Sequence, residues 1–365
     1  MRSFPSAAAC LLAASLMVTG CVNTALTRAI TQAPNLREKP RMLRPYRAAQ
    51  LQKSDATYAL ALRVPVGPPA AELSVAVINP GNYKVSATVG HGEFKDGVAP
   101  VWPQTDWTLP VQPLDPQSPP RATVIVLHGF QDSKEDMIHW ALYLAQHGYR
   151  AVLVDLRGHG RSNGSWVGYG AFESRDLKQV IDELERRQLV AGRIGVLGMS
   201  YGASVGLQLA GLDKRIEAVV AIEPFSDPRT AVKEFARAVV PGLVGGWTDK
   251  DFSIAEDRAS QLAGFSWRDA NVEGAVAETE APILYLHADN DHWISPQNSQ
   301  RLAEVTHGIH AVETVHFEKS GIEDHVLLSW LLEPMAPSVL TWFDECLAKP
   351  SDGLKARLTA RGFLD

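Results

Sequence analysis

Gly198-Met199-Ser200-Tyr201-Gly202 decides the reading of this chain. The pentapeptide follows Arg193–Leu197, an apolar run with the length of a buried strand, and precedes Ala203–Leu212, which suits a helix. A Gly-x-Ser-x-Gly between strand and helix is a sharp turn that strains its central residue and lifts that side chain above a sheet. Glycine is required two residues to either side, because the strand and helix backbones nearly touch there. Ser200 is therefore a candidate nucleophile.

The surrounding sequence supplies the sheet that such a turn needs. Thr123–Leu127, Arg150–Val154, Ile216–Ile222, Ile283–Leu286 and Ala311–Phe317 are short apolar runs. Between them lie amphipathic segments. Lys134–His147 carries Met137, Trp140, Ala141 and Leu144 on one face, and Ala171–Leu189 carries Leu177, Val180, Ile181 and Leu184. Alternation of this kind predicts an α/β fold, a mostly parallel sheet with helices on both faces. Thr57–Val66, Glu72–Ile78, Tyr83–Val89 and Asp106–Val111 read as strands that join the sheet at its edge, making a β-rich part over 57–111. Asp227–Ala281 breaks the rhythm with short helical pieces and the aromatics Trp247, Phe252, Phe265 and Trp267. We expect a small cap insertion there, with the individual aromatics filling a satellite core.

A serine nucleophile needs a base, an acid that orients the base, and two donors for the oxyanion. His128-Gly129-Phe130 follows the strand Thr123–Leu127, and the backbone N–H groups of Phe130 and Tyr201 are the expected oxyanion donors, with His128 structural. His325, after the last core strand, is the candidate base. For the acid, Asp289, Asp291 and Glu223 compete, and spacing from the strand end favours Asp291. The chain order Ser, Asp, His is the one this type of sheet uses.

On these motifs the chain resembles the α/β-hydrolase superfamily from about Tyr83 to Leu347, with a closer likeness to serine aminopeptidases and dienelactone hydrolase-like esterases. The loop Asp155-Leu156-Arg157-Gly158-His159-Gly160-Arg161-Ser162 is similar to the D-x-R-G-x-G-x-S loop of many members. The resemblance implies Ser200 as nucleophile, His325 as base and Asp291 as acid; Ala288 stands where the family pattern has Gly. Dienelactone hydrolases proper use a Cys nucleophile, which is absent here. No cofactor is implied. His287, His292, His307, His310 and His316 match no metal-ligand spacing, and no metal site is expected.

Arg2 precedes the apolar run Ala7–Val18, which ends in Val18-Thr19-Gly20-Cys21. This resembles the lipobox of bacterial lipoproteins, with residues 1–20 as signal peptide and Cys21 as the lipidated residue. Residues 21–56 read as a tether, and 57–365 as the catalytic domain. Of three cysteines, Cys10 leaves with the signal and Cys346 lies among Trp342, Phe343 and Leu347 as a small buried hydrophobe, so no disulfide is expected. The net charge of −6, with acids and bases mixed, excludes a polyanion-binding surface and hence nucleic acid. The expected location is the cell envelope, at the outer membrane facing the periplasm, since Val22 stands where an Asp would signal inner-membrane retention.

Together these readings predict an exported serine hydrolase acting on a small carboxylic ester through an acyl-Ser200 intermediate. Two alternatives compete. An aminopeptidase-like amide hydrolase would need a carboxylate such as Glu223, Asp227 or Glu323 to hold a substrate amine. A catalytically silent hydrolase fold would serve as a binding protein of the envelope.

Overall fold

The computed structural model describes residues 24, 26–36, 44–91, 101–108, 119–317, 323–333 and 335–364. The signal peptide, Cys21 and residues 109–111 of the expected strand Asp106–Val111 lie outside these residues. Strands β1 (Leu60–Val66), β2 (Ala71–Ile78), β3 (Lys84–His91), β4 (Val101–Thr108) and β5 (Thr123–Leu127) lead into the core. They are followed by β6 (Arg150–Val154), β7 (Ile194–Met199), β8 (Ile216–Ile222), β9 (Ile283–Ala288) and β10 (His310–Val315). Eight strands form one sheet in the order β1-β2-β6-β5-β7-β8-β9-β10. β1 and β2 run antiparallel to their neighbours, and β6 through β10 are parallel.

Every residue of β5 is buried, which a sheet covered on both faces demands. Its side chains alternate between two apolar layers: Ile125 and Leu127 enter one, Val124 and Val126 the other. The helix Glu173–Arg186 brings Leu177, Val180, Ile181 and Leu184 to the first layer, and the helix Ile138–Gln146 brings Trp140, Ala141 and Leu144 to the second. Cys346 sits in the second layer, where burial pushes its thiol up to about 12. It is a packing residue, as expected. Among the described residues, no helix is long and apolar enough to cross a membrane.

Two expectations at the edge of the sheet are corrected. Thr57 does not begin a strand: it ends the helix Arg44–Thr57, where its Oγ1 donates to the Lys53 carbonyl and accepts from Trp107 Nε1. The other two early strands, β3 and β4, do not join the main sheet but pair with each other, from Lys84↔Thr108 to His91↔Val101. The half-buried face of this ribbon packs on the helix Ile138–Gln146 through residues such as Val85 and Ala87.

Between β8 and β9 the chain forms helices Pro228–Val239, Pro241–Val244, Asp249–Ala263 and Val272–Glu278, with a 3-10 turn at Trp267–Asp269. The last helix belongs to the layer beside the sheet, since a Cβ on Gly211 would lie 2.8 Å from Ala275 Cα. Phe252, Ala236, Val244 and Trp247 form a small apolar core of their own, the satellite expected from sequence. Phe265 and Trp267 pack instead against the main core.

Residues 26–36, read from sequence as part of a tether, are built into the domain. Ile30 and Ala33 are buried, and Leu26 packs against the satellite core of the cap. Ala33 N–H donates to the Ser165 carbonyl, Asn35 N–H to the Gly158 carbonyl, and Val167 N–H to the Thr31 carbonyl. Gly158, at φ +70°, has no room for a side chain, because its Cβ would stand 2.6 Å from that of Ala33. Tyr169 Oη donates to the Ile30 carbonyl at 2.8 Å. The reading failed because this segment is anchored mainly through backbone bonds, which leave no hydrophobic period in sequence. Ile30→Ala is expected to lower the free energy of unfolding by about 2–5 kcal/mol in a denaturant titration, the usual loss for a buried aliphatic truncated to Ala. A mobile tether would show no change.

Candidate active site

The loop Asp155–Ser162 is the frame beside the site. Asp155 is fully buried and accepts from Lys134 N (2.7 Å), Lys134 Nζ (2.8 Å) and Arg161 N (2.9 Å). Arg157 meets Asp176 with two parallel hydrogen bonds of 2.8 and 2.7 Å inside the protein. Burial dominates there, raising the Asp176 carboxyl to about 6 despite the guanidinium. Ser162 Oγ donates to the Asp155 carbonyl and accepts from Ser74 N–H, tying the loop to β2. Asp155, Arg157 and Ser162 thus each satisfy a buried group, while the Arg161 guanidinium pairs with exposed Asp55.

Ser200 sits at the C-terminal end of β7 with φ +49° and ψ −112°, a backbone region that side chains disfavour. The strain is held by close packing on both sides. A Cβ on Gly198 would lie 2.4 Å from the Gly202 carbonyl oxygen, and one on Gly202 would lie 2.6 Å from that of His128. Ser200 N–H donates to the Ile222 carbonyl of β8 at 2.7 Å, so the elbow is pinned to the next strand. Ser200 is half-buried and opens the helix Tyr201–Leu212. Tyr201 and Phe130 are neighbours, with ring centroids 5.7 Å apart. Among the described residues, the backbone N–H of neither donates to a protein acceptor. His128 is buried, with Nε2 accepting from Leu156 N–H and Nδ1 donating to the Gly129 carbonyl, and so holds the Phe130 loop without carrying protons.

His325 and Asp291 meet behind the elbow. His325 Nδ1 donates to Asp291 Oδ2 at 2.6 Å, and both residues are buried. Asp291 Oδ1 accepts from the N–H groups of Trp293 (2.8 Å) and Ile294 (2.9 Å). Burial pushes the Asp291 carboxyl up, but hydrogen bonds from His287 and His325, the His325 charge and the Ile294 N–H outweigh it and hold the group well below the ordinary range. Asp291 is therefore a carboxylate at neutral pH. With Nδ1 carrying a proton toward a carboxylate, the imidazole offers its free lone pair only at Nε2. Trp293 lies against the ring, centroid to centroid 5.5 Å, and Phe235 of the cap packs edge-on against Trp293.

The competing acids separate cleanly. Asp289 turns outward and pairs with exposed His316 at 2.8 Å. Glu223 is fully buried at the end of β8, with Oε2 3.3 Å from His325 Nδ1. The other expected amine holders are engaged elsewhere: Asp227 caps the helix Pro228–Val239, and Glu323 accepts from His292 N–H. Sequence reasoning missed two supports. His287 lies under the acid, its Nε2 donating to the Ile294 carbonyl (2.9 Å) beside Asp291 Oδ2 (3.3 Å), and its ring Nδ1 meeting Ser299 Oγ. Tyr169 donates its N–H to Tyr201 Oη, holding the aromatic wall next to the oxyanion loop. The histidine was visible in sequence only as one of several, and nothing in its spacing set it apart.

Fold and site together have the architecture of the α/β-hydrolase class. The profile of the X-Pro dipeptidyl-peptidases (S15 family) matches residues 42–280, and the chain belongs to that family. The match contains the Phe130 loop and the elbow and ends before Asp291 and His325. The Bacillus subtilis protein YqkD is 26% identical over 190 residues, 51% of this chain and 60% of that protein, so the chain spans less than two thirds of YqkD. The AB hydrolase superfamily protein YisY of the same organism is 25% identical over 228 residues, 54% of this chain and 84% of that protein. Among solved structures, the Pyrococcus furiosus esterase Pf2001 superposes with a TM-score of 0.53 at 19% identity, covering 80% of this chain and 93% of that one. The Pyrococcus horikoshii acylaminoacyl peptidase gives 0.52 at 19% identity, covering 85% of this chain and 45% of that one. These two share the fold.

Proposed function

We propose that the protein hydrolyses carboxylic esters with Ser200, His325 and Asp291 as its catalytic triad. The observation that carries this reading is the 2.6 Å bond from His325 to an ionised Asp291, in a structure that also strains Ser200 at the elbow. His325 Nε2 takes the Ser200 proton as Oγ attacks the acyl carbon, and returns it to the leaving alkoxide. An acyl-Ser200 ester remains, which water, activated by the same nitrogen, cleaves to the free acid. The unengaged N–H groups of Phe130 and Tyr201 face the oxyanion in each tetrahedral intermediate.

An ester is favoured over an amino-terminal peptide because the three carboxylates suited to hold a substrate amine are occupied or buried. The second reading, cleavage of a peptide, is favoured by the family to which the chain belongs. A screen of acyl esters against aminoacyl and X-Pro amides separates the two, the ester reading requiring the larger kcat/KM on esters. Ser200→Ala should abolish both ester hydrolysis and labelling by a fluorophosphonate while the fold persists; labelling that survives would refute the nucleophile. Asp291→Asn should lower kcat by at least about a hundredfold, since loss of a triad acid cost about 10⁴ in a well-studied protease.

We also place the protein on a membrane of the bacterial envelope through lipidated Cys21, with the domain outside the cytoplasm. The Val18-Thr19-Gly20-Cys21 run supports this, and acyl chains at about 0.8 kcal/mol per buried methylene suffice for stable attachment once more than one is present. Cys21→Ser should release the protein to the soluble fraction or stall its processing; unchanged size and membrane association would refute it.

A further inference from the structure

The catalytic reading uses one acid behind His325, yet the structure places two. Glu223 Oε2 stands 3.3 Å from His325 Nδ1, the same nitrogen that Asp291 Oδ2 approaches at 2.6 Å. Donor atoms of Glu223, Asp291 and His325 all lie within 4.8 Å of one another, and all three residues are buried. Glu223 is also strained, at φ +53°, on a backbone held by its N–H bond to the Leu286 carbonyl (2.7 Å). Neither of its carboxyl oxygens accepts a hydrogen bond. An acid aimed at the imidazole of a triad, on a strained backbone and without other partners, is costly to stability and calls for a role at that imidazole.

We propose that Glu223 is a positioning residue: a second, reserve acid for His325 that stays protonated while Asp291 is charged and takes over as carboxylate when Asp291 is neutralised. This inference rests on the assignment of Ser200, His325 and Asp291 as the triad.

The charges around Glu223 explain the division of labour. From the loop after β9 it faces Asp291, with His287 beneath that carboxylate; from the helix Asp324–Trp330 and its cap it faces His325, Asp324 and Glu323. Burial, and then the negative charges of Asp291, Glu323 and Asp324, hold the Glu223 carboxyl well above the ordinary range. Asp291 has what Glu223 lacks, two backbone N–H donors and His287, and so it takes the charge. Two carboxyls this close to one imidazole do not both ionise readily, and the one with more hydrogen-bond donors ionises first. Removal of the Asp291 charge deletes one repulsion and frees His325 Nδ1–H. Glu223 then ionises at a lower pH than before and accepts that N–H, holding the same tautomer.

The test is a double-mutant cycle of Asp291→Asn and Glu223→Gln, with kcat and kcat/KM measured on a simple ester across pH. Gln copies the size of a neutral Glu but cannot ionise. Asp291→Asn alone should retain about one hundredth of the activity, and its rate should climb with pH as Glu223 loses its proton. Adding Glu223→Gln to that variant should cost a further tenfold or more and remove this climb, leaving only the His325 limb. The same substitution in the protein with Asp291 intact should cost at least tenfold less than it does in the Asp291→Asn background. Equal costs in the two backgrounds, or an unaltered pH profile, would overturn the reserve role while leaving the triad standing. Full activity in Asp291→Asn, with Glu223→Gln crippling by itself, would overturn the reserve role and the assignment of Asp291 together. An unchanged circular dichroism spectrum and thermal unfolding midpoint in every variant report that the fold persists.

Discussion

The structure depends on two backbones that nearly collide. Beneath Ser200, the end of β7 and the start of the following helix approach so closely that neither Gly198 nor Gly202 has space for a methyl group. Three residues at the ends of two neighbouring strands enforce this crossing: the carbonyls of Leu127 and His128 stand against Gly202, and the Ile222 carbonyl takes the Ser200 N–H. A serine in a disfavoured backbone region costs on the order of 1–3 kcal/mol, and persists only because the sheet around it over-determines the turn. The same crossing leaves Tyr201 N–H at the first position of a helix, where it has no intrahelical acceptor. The strain at Ser200 and the free N–H of Tyr201 thus arise from one geometric event.

Behind the elbow the governing constraint is electrostatic. One imidazole is flanked by carboxyls from two adjacent strand ends, and the local supply of N–H donors decides which is charged. The turn after β9 aims the amides of Trp293 and Ile294 back at Asp291, while the turn after β8 gives Glu223 none. In a medium of low effective dielectric such differences in hydrogen bonding outweigh the small difference in distance to the histidine. The identity of the acid is therefore a property of its loop, not of its strand.

That distinction also marks how far the sequence could be read. The alternation of buried strands with amphipathic helices gave β5 and β6 residue for residue, and the elbow, Ser200 and the His325–Asp291 pair follow from motifs whose spacing is set by backbone geometry. The edge was misread, because a half-buried ribbon such as β3–β4 has the same alternation as a sheet edge and pairing partners are not encoded in periodicity. Residues 26–36 were misread because backbone hydrogen bonds to Ser165, Gly158 and Val167 hold them, and such bonds carry no sequence signature. Glu223 was visible as a rival acid, but its position opposite Asp291 on one nitrogen arises from the meeting of two loops 68 residues apart.

The buried N-terminal segment ties these parts into one body. Leu26 packs on the satellite core of the cap, Ile30 takes the Tyr169 hydroxyl, and Tyr169 in turn fixes Tyr201 Oη, whose own backbone N–H borders the nucleophile. Tyr169 also stacks near Phe130 and against Trp267 of the cap. Beyond the Leu26 contact each link is a hydrogen bond or a ring contact, and packed interiors pass displacement on instead of absorbing it. Residues 26–36 are thus continuous with the aromatic wall beside Ser200, and the cap is held from the N-terminal side as well as by its own connections to β8 and β9.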